Sequence, residues 1–444
     1  MHLSNNQTQS AIEEAGFTPF HLRLTIYSSG GPFLDGYILS IIGVALTQLT
    51  PQLHLGPFWS GLIGASALLG IFLGGFFGYL TDKIGRQLMY TLDFIILIVA
   101  SVLQFWVQEG WQLFLLRLIL GIAVGADYPI ATSLLTEFAP KKHRGAMVGV
   151  TLFSYYIGAT VAYLAGEWML QIGPDAWRWI LASSAIPAVI LVLLRAGTPE
   201  SPRWLLSRGR KDEADRIIKK VYGPEASVDE IDVPDKELEK TSFKKVFSKG
   251  YFKRIMYIGL FEMCQVAPLF AMLTFGPDML KAYHLFEGSA GYGLAIISSF
   301  FLVGCIPALL LVNKLGRRPL MITSFSAMTV GILLLGIFPK GPAFIILAGF
   351  LIYAIFSGGP NVMDWLAPNE LFPTEIRGTA VGAATSISRV GAFFGTYLFP
   401  IGLGRLGIGP TMLIGAAITF LGLIVCIALA PETTNKTLNE SSSI

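Results

Sequence analysis

Seven ionisable residues stand within long apolar stretches of this 444-residue chain: Asp35, Asp93, Arg117, Asp127, Glu262, Asp364 and Arg389. At bilayer depth each costs about 2.5–3.5 kcal/mol on insertion scales, so each needs a cavity, a partner or a proton to exchange. A carboxyl that loses water or its counter-ion keeps its proton, and one beside a guanidinium releases it. Alternation between those surroundings is the chemistry of a proton carrier. Asp35 lies twelve residues into the first apolar stretch and Arg117 six residues into the fourth, which runs the opposite way, so they share a depth and could pair. A static helix–helix ion pair would use the same two residues. Asp127, ten positions beyond Arg117 and about 80° around the helix, can be a second protonation site. It can equally make a structural polar contact, because Gly121 and Gly125 suit tight packing of the same helix. Asp93 is read as interfacial.

A second group of residues could hold a ligand. Glu262, Gln265 and Leu269 fall at i, i+3 and i+7, one helical face with polar groups at one end. Asn361, Asp364, Trp365 and Pro368 form another stripe, in which the Trp365 ring suits the C–H face of a sugar or an organic cation. Tyr155 shares a face with Thr151, Ser154 and Gly158, which supplies hydroxyl donors or plain core packing. Arg389, with Thr385 and Ser386 one turn back, could grip a carboxylate or phosphate bidentately, or neutralise Asp364 or Glu262. The carboxylates Asp35, Asp127, Glu262 and Asp364 outnumber Arg117 and Arg389, so charge balance does not announce an anionic substrate.

The elements that carry these residues are membrane spans. The chain is 53% hydrophobic and 14% charged, against roughly 25% charged in an ordinary soluble domain, which excludes a typical soluble enzyme. Its 48 Gly and 24 Pro are tolerated in membrane helices, where small residues permit close approach. A net charge of +3 is too balanced for a nucleic-acid binder. Cys264, Cys305 and Cys426 lie in apolar stretches without the paired spacing of a metal site or disulfide framework. A hydrolytic constellation and a phosphate-cradling Gly-Lys-Ser/Thr loop are both lacking, so neither an enzyme, a cofactor nor an ATP-driven pump is expected. The polar N-terminus, with Glu13 and Glu14, lacks the pattern of a removable signal peptide, which leaves the first span to direct insertion.

A span needs about 20 apolar residues. Segments near 24–48, 58–80, 87–107, 111–136, 145–170, 177–197, 252–280, 289–312, 319–338, 342–367, 378–402 and 408–430 qualify. The expected fold is therefore an all-α membrane protein with twelve transmembrane helices in two pseudo-symmetric six-helix bundles. The expected domains are an N-terminal bundle (1–198), a cytoplasmic linker with short helices (199–250), a C-terminal bundle (251–431) and a cytoplasmic tail (432–444). Apart from Arg117 and Arg389, only Arg178, Lys281, Lys340 and Arg405 fall on one side of the membrane, and all other Lys and Arg fall on the opposite side. That bias puts both termini and the linker in the cytoplasm.

An internal duplication supports two bundles. Asp82, Gly85 and Arg86 recur as Asn313, Gly316 and Arg317 after 231 residues. Glu137, Pro140, Arg144 and Gly145 recur as Glu370, Pro373, Arg377 and Gly378 after 233, and Pro199-Glu200 recurs as Pro431-Glu432 after 232. Parallel repeats of this kind place a substrate site at their interface near the midplane, with access alternating by rocking.

The run Gly78-Tyr79-Leu80-Thr81-Asp82-Lys83-Ile84-Gly85-Arg86 resembles the signature of the major facilitator superfamily. Pro199-Glu200-Ser201-Pro202-Arg203-Trp204, Glu370-Leu371-Phe372-Pro373 with Arg377-Gly378, and Pro431-Glu432-Thr433 look like its sugar-porter and metabolite:proton symporter branches. Gly125-Ala126-Asp127-Tyr128-Pro129 is more similar to phosphate and organic-ion members. The resemblance implies that Asp35 and Arg117 couple protons and that Trp365, five residues before Glu370, stacks on substrate. Sugar porters carry a Gln-Gln pair in span seven and an Asn further on, where this chain has Cys264-Gln265 and Phe270, a departure from a hexose site.

The charged pairs Asp82/Arg86, Glu137/Arg144 and Glu370/Arg377, with Arg203, Arg317 and Arg318, are expected at helix ends as a cytoplasmic gate that joins the halves. Asn313 in place of Asp should weaken the second copy. The stretch from Ser207 to Tyr222 reads as short helices along the inner face. Taken together, the residues point to a proton-coupled symporter of a small polar metabolite, a sugar, sugar acid or organic acid, in the cell (inner) membrane. An exporter of organic cations or drugs is the alternative. Expected partners are the substrate, protons and the lipid bilayer, with no nucleic acid, and the chain is read as a monomer.

Overall fold

A computed structural model describes residues 18–75, 86–138, 144–195, 200, 202–207, 209–222, 248–372 and 374–434. The first half contains α1 (Pro19–Gln52), α2 (Pro57–Gly74), α3 (Arg86–Leu103), α4 (Gly110–Phe138), α5 (Arg144–Leu170), and α6 (Ala176–Ala182) continued after a short break by α7 (Ala185–Arg195). Two short helices follow, α8 (Pro202–Ser207) and α9 (Lys211–Tyr222). The second half contains α10 (Lys249–Ala282), α11 (Ala290–Leu315), α12 (Arg317–Ile337), α13 (Ala343–Phe356), α14 (Gly358–Leu371), α15 (Thr374–Leu406) and α16 (Ile408–Leu429). With α6/α7 and α13/α14 each taken as one crossing, these are the twelve expected spans. No strand occurs among the described residues.

Several helices outrun the apolar segments that announced them, because hydropathy marks the hydrocarbon depth and the helix continues into its polar ends. Thus α1 begins at Pro19 and α10 at Lys249. Span ten runs on from α13 into α14 through Ser357, which keeps helical angles (φ −61°, ψ −18°) ahead of Gly358, Gly359 and Pro360. Its backbone there touches α11, since a Cβ at Gly304 would overlap the Ile355 carbonyl and one at Gly358 the Gly304 carbonyl. Small residues permit that approach.

The same pairs of helices pack in each half. Helix α1 lies on α5, α2 on α4 and α3 on α7; their counterparts are α10 on α15, α11 on α13/α14 and α12 on α16. The halves meet through α1 with α10, α2 with α15 and α5 with α11. Large apolar side chains such as Ile95, Val99, Leu193, Leu310 and Phe344 are exposed on the outside of the bundles, as a hydrocarbon solvent requires. In the linker, Ile218 of α9 is buried, and Ile217 and Val221 pack near Leu24, Tyr27 and Met147 at the starts of α1 and α5.

The two ends of the molecule differ. At the end with few bases one apolar core runs through both halves, including Leu46, Ala67 and Tyr163 with Leu273, Phe275 and Phe399. At the base-rich end the described residues of each half form their own core, around Leu34, Phe94 and Leu120 in the first and around Ile255, Phe325 and Phe372 in the second. The molecule is therefore sealed at the base-poor end. Local chemistry explains the seal. Pro277 lacks the N–H that would bond the Leu273 carbonyl, α10 kinks at Phe275 (φ −106°, ψ 19°), and the Tyr163 hydroxyl of the other half donates to that carbonyl. Gly291 N–H donates to the Glu167 carboxylate at 2.7 Å, an anion on the first turn of α11. Phe58 packs edge-on against Tyr397 with centroids 5.9 Å apart.

At Gly61 a Cβ would overlap the Tyr397 carbonyl. Gly61→Trp should therefore hold α2 and α15 apart at this end. Nitroxide labels flanking the contact should report a longer distance distribution than in wild type, and an unchanged one would contradict this packing.

Candidate functional site

In the first half, Arg117 is 1% exposed and Asp35 6% exposed, both within helices packed on one another. One guanidinium nitrogen of Arg117 donates to the Ile38 carbonyl at 3.2 Å, one turn along α1 from Asp35. Its Nε has no hydrogen-bond partner among the described residues. In this state Arg117 bonds the α1 backbone rather than the Asp35 carboxylate. Asp93 is enclosed by protein, near Phe94 and Leu97 in the core of the first half. The side chain of Asp127 lies outside the described residues, although α4 carries its backbone.

The second half brings together residues from three helices. Glu262 (7% exposed) lies beside Ser388 of α15 and faces Arg389. Asp364 also faces Glu262 and Arg389, and one amide atom of Gln265 lies 3.1 Å from both of its carboxyl oxygens. Two carboxyl groups thus share one guanidinium. The Arg389 Nε is buried without a partner among the described residues, a donor suited to an incoming acceptor. On α14, Asn361 and Pro368 are buried, while Asp364 and Trp365 are partly accessible. Cys264 and Phe270 are buried in packing.

At the middle of the interface the structure uses a residue that the sequence reading passed over. Tyr156, next to the expected Tyr155, is buried, stacks on Phe301 of α11 (5.6 Å, 4°), and receives a hydrogen bond from Asn361 at 2.6 Å. Tyr155 is partly exposed and meets Tyr156 edge-on. The available signal was the stripe Tyr156, Ala159 and Tyr163, at i, i+3 and i+7, with a small residue between two aromatics. Ser154 turns back to the Val150 carbonyl, and Gly158 packs against the Phe33 backbone.

At the base-rich end, Arg317 makes a bidentate pair with Glu370 (2.7 and 3.3 Å) and reaches the Asn313 side-chain oxygen at 3.0 Å. The Glu432 carboxylate accepts the backbone N–H groups of Arg317 and Arg318, both at 3.1 Å, and so caps α12. Gly316 before it has φ +95°, a conformation that favours glycine. Arg318 donates to the Ile427 carbonyl at 2.7 Å. The described contacts of this group stay within the second half. Asp82 and Gly85 lie outside the described residues, as do the side chains of Arg86, Glu137, Arg144, Arg203 and Arg377.

The family of sugar (and other) transporters matches residues 24–444. A relative named metabolite transport protein YaaU, of Escherichia coli, is 42% identical over 99% of this chain and 98% of its own length. The inner membrane metabolite transport protein YgcS of the same organism is 36% identical over 96% and 95%, and the arabinose-proton symporter of Bacillus subtilis 28% identical over 92% of each. Among solved structures, the inward-open xylose transporter XylE of E. coli shares the fold, with a TM-score of 0.80 at 24% identity over 95% of this chain and 99% of that one.

Partial burial raises the Glu432 carboxyl, but hydrogen bonds from Thr434, Arg317 and Arg318 outweigh it and hold the group below the ordinary carboxylate range. A depressed value contributes stability above the unfolded-state pKa, and that contribution is lost as pH falls through the folded value. Glu432→Gln should lower stability at neutral pH by about 0.3–1 kcal/mol, the usual worth of a charge at a helix terminus. Melting temperatures of the two proteins, measured against pH, should converge in acid.

Proposed function

Because the chain belongs to the sugar (and other) transporter family of the major facilitator superfamily, we propose that it is a proton-coupled symporter of a small polar metabolite, a sugar, sugar acid or organic acid. The observation that carries this reading is the buried Arg117 guanidinium on the α1 backbone one turn from Asp35. An Asp that loses its proton gains from a nearby cation. Arg117 would then move between the Ile38 carbonyl and the Asp35 carboxylate as the proton leaves and returns, and Asp127 would share the load as a second site. The positive-inside bias orients the chain in the inner membrane with both termini cytoplasmic. In that orientation the sealed base-poor end faces outward, and the state is inward-facing.

The ligand would lie between the halves, against Trp365 and Tyr155 and within reach of Gln265, Glu262, Asp364 and Arg389. The unpartnered Arg389 Nε suits an acceptor on the substrate. Arg317, Arg318, Glu370 and Arg377 would keep the second bundle rigid at the gate, with Asp82, Gly85, Arg86, Glu137, Arg144 and Arg203 as counterparts in the first half and linker. Two carboxyl groups against one guanidinium also favour a cationic ligand, which keeps the exporter of organic cations as the second reading.

In vesicles carrying a pH gradient, Asp35→Asn should abolish uphill uptake while counterflow continues, and accumulation retained in that variant would refute coupling at Asp35. Arg389→Ala should weaken an anionic substrate about tenfold or more, the ~1.5–3 kcal/mol of a charge-assisted hydrogen bond, and a neutral one less. Binding can be read by thermal shift against sugars, sugar acids and organic cations. Equal losses across all three would argue against a carboxylate clamp. Drug tolerance of expressing cells, without growth on a carbon source, would favour export.

A further inference from the structure

A chain of side chains crosses the interface from Asp364 to Tyr156, and its direction depends on a proton. Asn361 Nδ2 donates to the Tyr156 hydroxyl at 2.6 Å, and Gln265 Nε2 donates to Asn361 Oδ1. The Gln265 amide fits either way round: turned over, its NH2 group donates to both Asp364 carboxyl oxygens at 3.1 Å, and in the orientation just given its carbonyl faces them. Two acceptors face each other there unless Asp364 carries hydrogen. With Asp364 ionised, both amides must turn over. Tyr156 then donates to Asn361, Asn361 to Gln265, and Gln265 to the carboxylate. Both sequences satisfy every amide, and each belongs to one protonation state.

The surroundings supply the reason for a proton. Asp364 is faced by Glu262 and Tyr257 from α10, Arg389 from α15, Cys305 from α11 and Tyr156 from α5. Arg389 can balance one carboxylate. With Glu262 and Asp364 both ionised, one buried negative charge is left without a partner, and a proton on Asp364 removes it.

We infer that Asp364 is a second proton-binding site, separate from Asp35, and that the Gln265–Asn361 amide pair passes its state to Tyr156 in the other bundle. This rests on the proton-coupled reading above. Ionised Asp364 makes the Tyr156–Asn361 bond the far end of a chain that terminates on an anion, so it is strengthened by charge and by polarisation along the chain. Protonation makes the chain neutral. The bond that ties the two bundles at mid-depth is thereby tightened by proton release and loosened by proton uptake, which links the proton to the rocking motion. Asp364 and Gln265 are binding residues in this scheme, and Asn361 and Tyr156 are positioning residues.

The test uses the full-length protein in lipid bilayers without substrate, followed by infrared difference spectroscopy between acid and alkaline pH. The expected spectrum contains a protonated-carboxyl band lost in Asp364→Asn and a tyrosine C–O band lost in Tyr156→Phe, which keeps the stack on Phe301. The two bands should titrate together. Asn361→Leu should retain the carboxyl band and lose the pH response of the tyrosine. If that variant does not fold, Gln265→Leu cuts the chain at its other joint with the same expected loss. A carboxyl band indifferent to Asp364→Asn, or a tyrosine response that survives both chain-breaking variants, would overturn the inference. Asp35→Asn separates the two readings. It should leave both bands in place, so failure of coupling at Asp35 appears in uptake and failure of the Asp364 site appears in the spectrum.

Discussion

Inside hydrocarbon a polar group has only the protein to bond with, and the arrangement of this molecule follows from that constraint. Leu273 loses its helical partner to Pro277 and finds the Tyr163 hydroxyl of the other half. Arg117, buried in α4, finds the Ile38 carbonyl. Asn361 finds Tyr156 across the interface. Each of these bonds answers a local deficit, and two of them join the halves. A transporter that rocks must exchange such partners between states, so bonds that cross the interface are the ones through which a proton or ligand can act.

Packing determines which end closes. Backbone touches backbone where glycine allows it, at Gly61 against Tyr397, and one apolar core runs through both halves at that end. At the other end the cores of the described residues remain separate. Rigid bundles with a divided core at one end and a common core at the other can exchange the two arrangements by rotation, without repacking either interior.

The charged groups at the base-rich end serve that rigidity in the second half. Glu432 caps α12 while Arg317 ties α12 to Glu370 at the end of α14, so three helix ends are held together within one bundle. In their described contacts, Arg317, Arg318, Glu370 and Glu432 form a clasp within one bundle. Asn313 contributes there too, as a neutral acceptor for Arg317.

Twelve spans, their duplication and the buried charges were legible in the sequence, because hydropathy, repeat spacing and an ionisable residue in an apolar run are local properties. The site was legible only in part. Tyr155 and Tyr156 differ by one position, about 100° around a helix, and only a partner 205 residues away singles out the second. The glycines Gly304 and Gly358 are plain in the sequence, but that the α11 backbone and span ten meet at them is not. Which carbonyl Arg117 takes, which end is sealed and which groups the Gln265 and Asn361 amides meet are properties of the packed bundles. The sequence by itself determined which residues must find partners in the membrane, since their chemistry cannot be left unsatisfied there. Tertiary structure alone decided which partners they found, because those come from helices hundreds of residues apart, brought within bonding distance only by the docking of one bundle on the other.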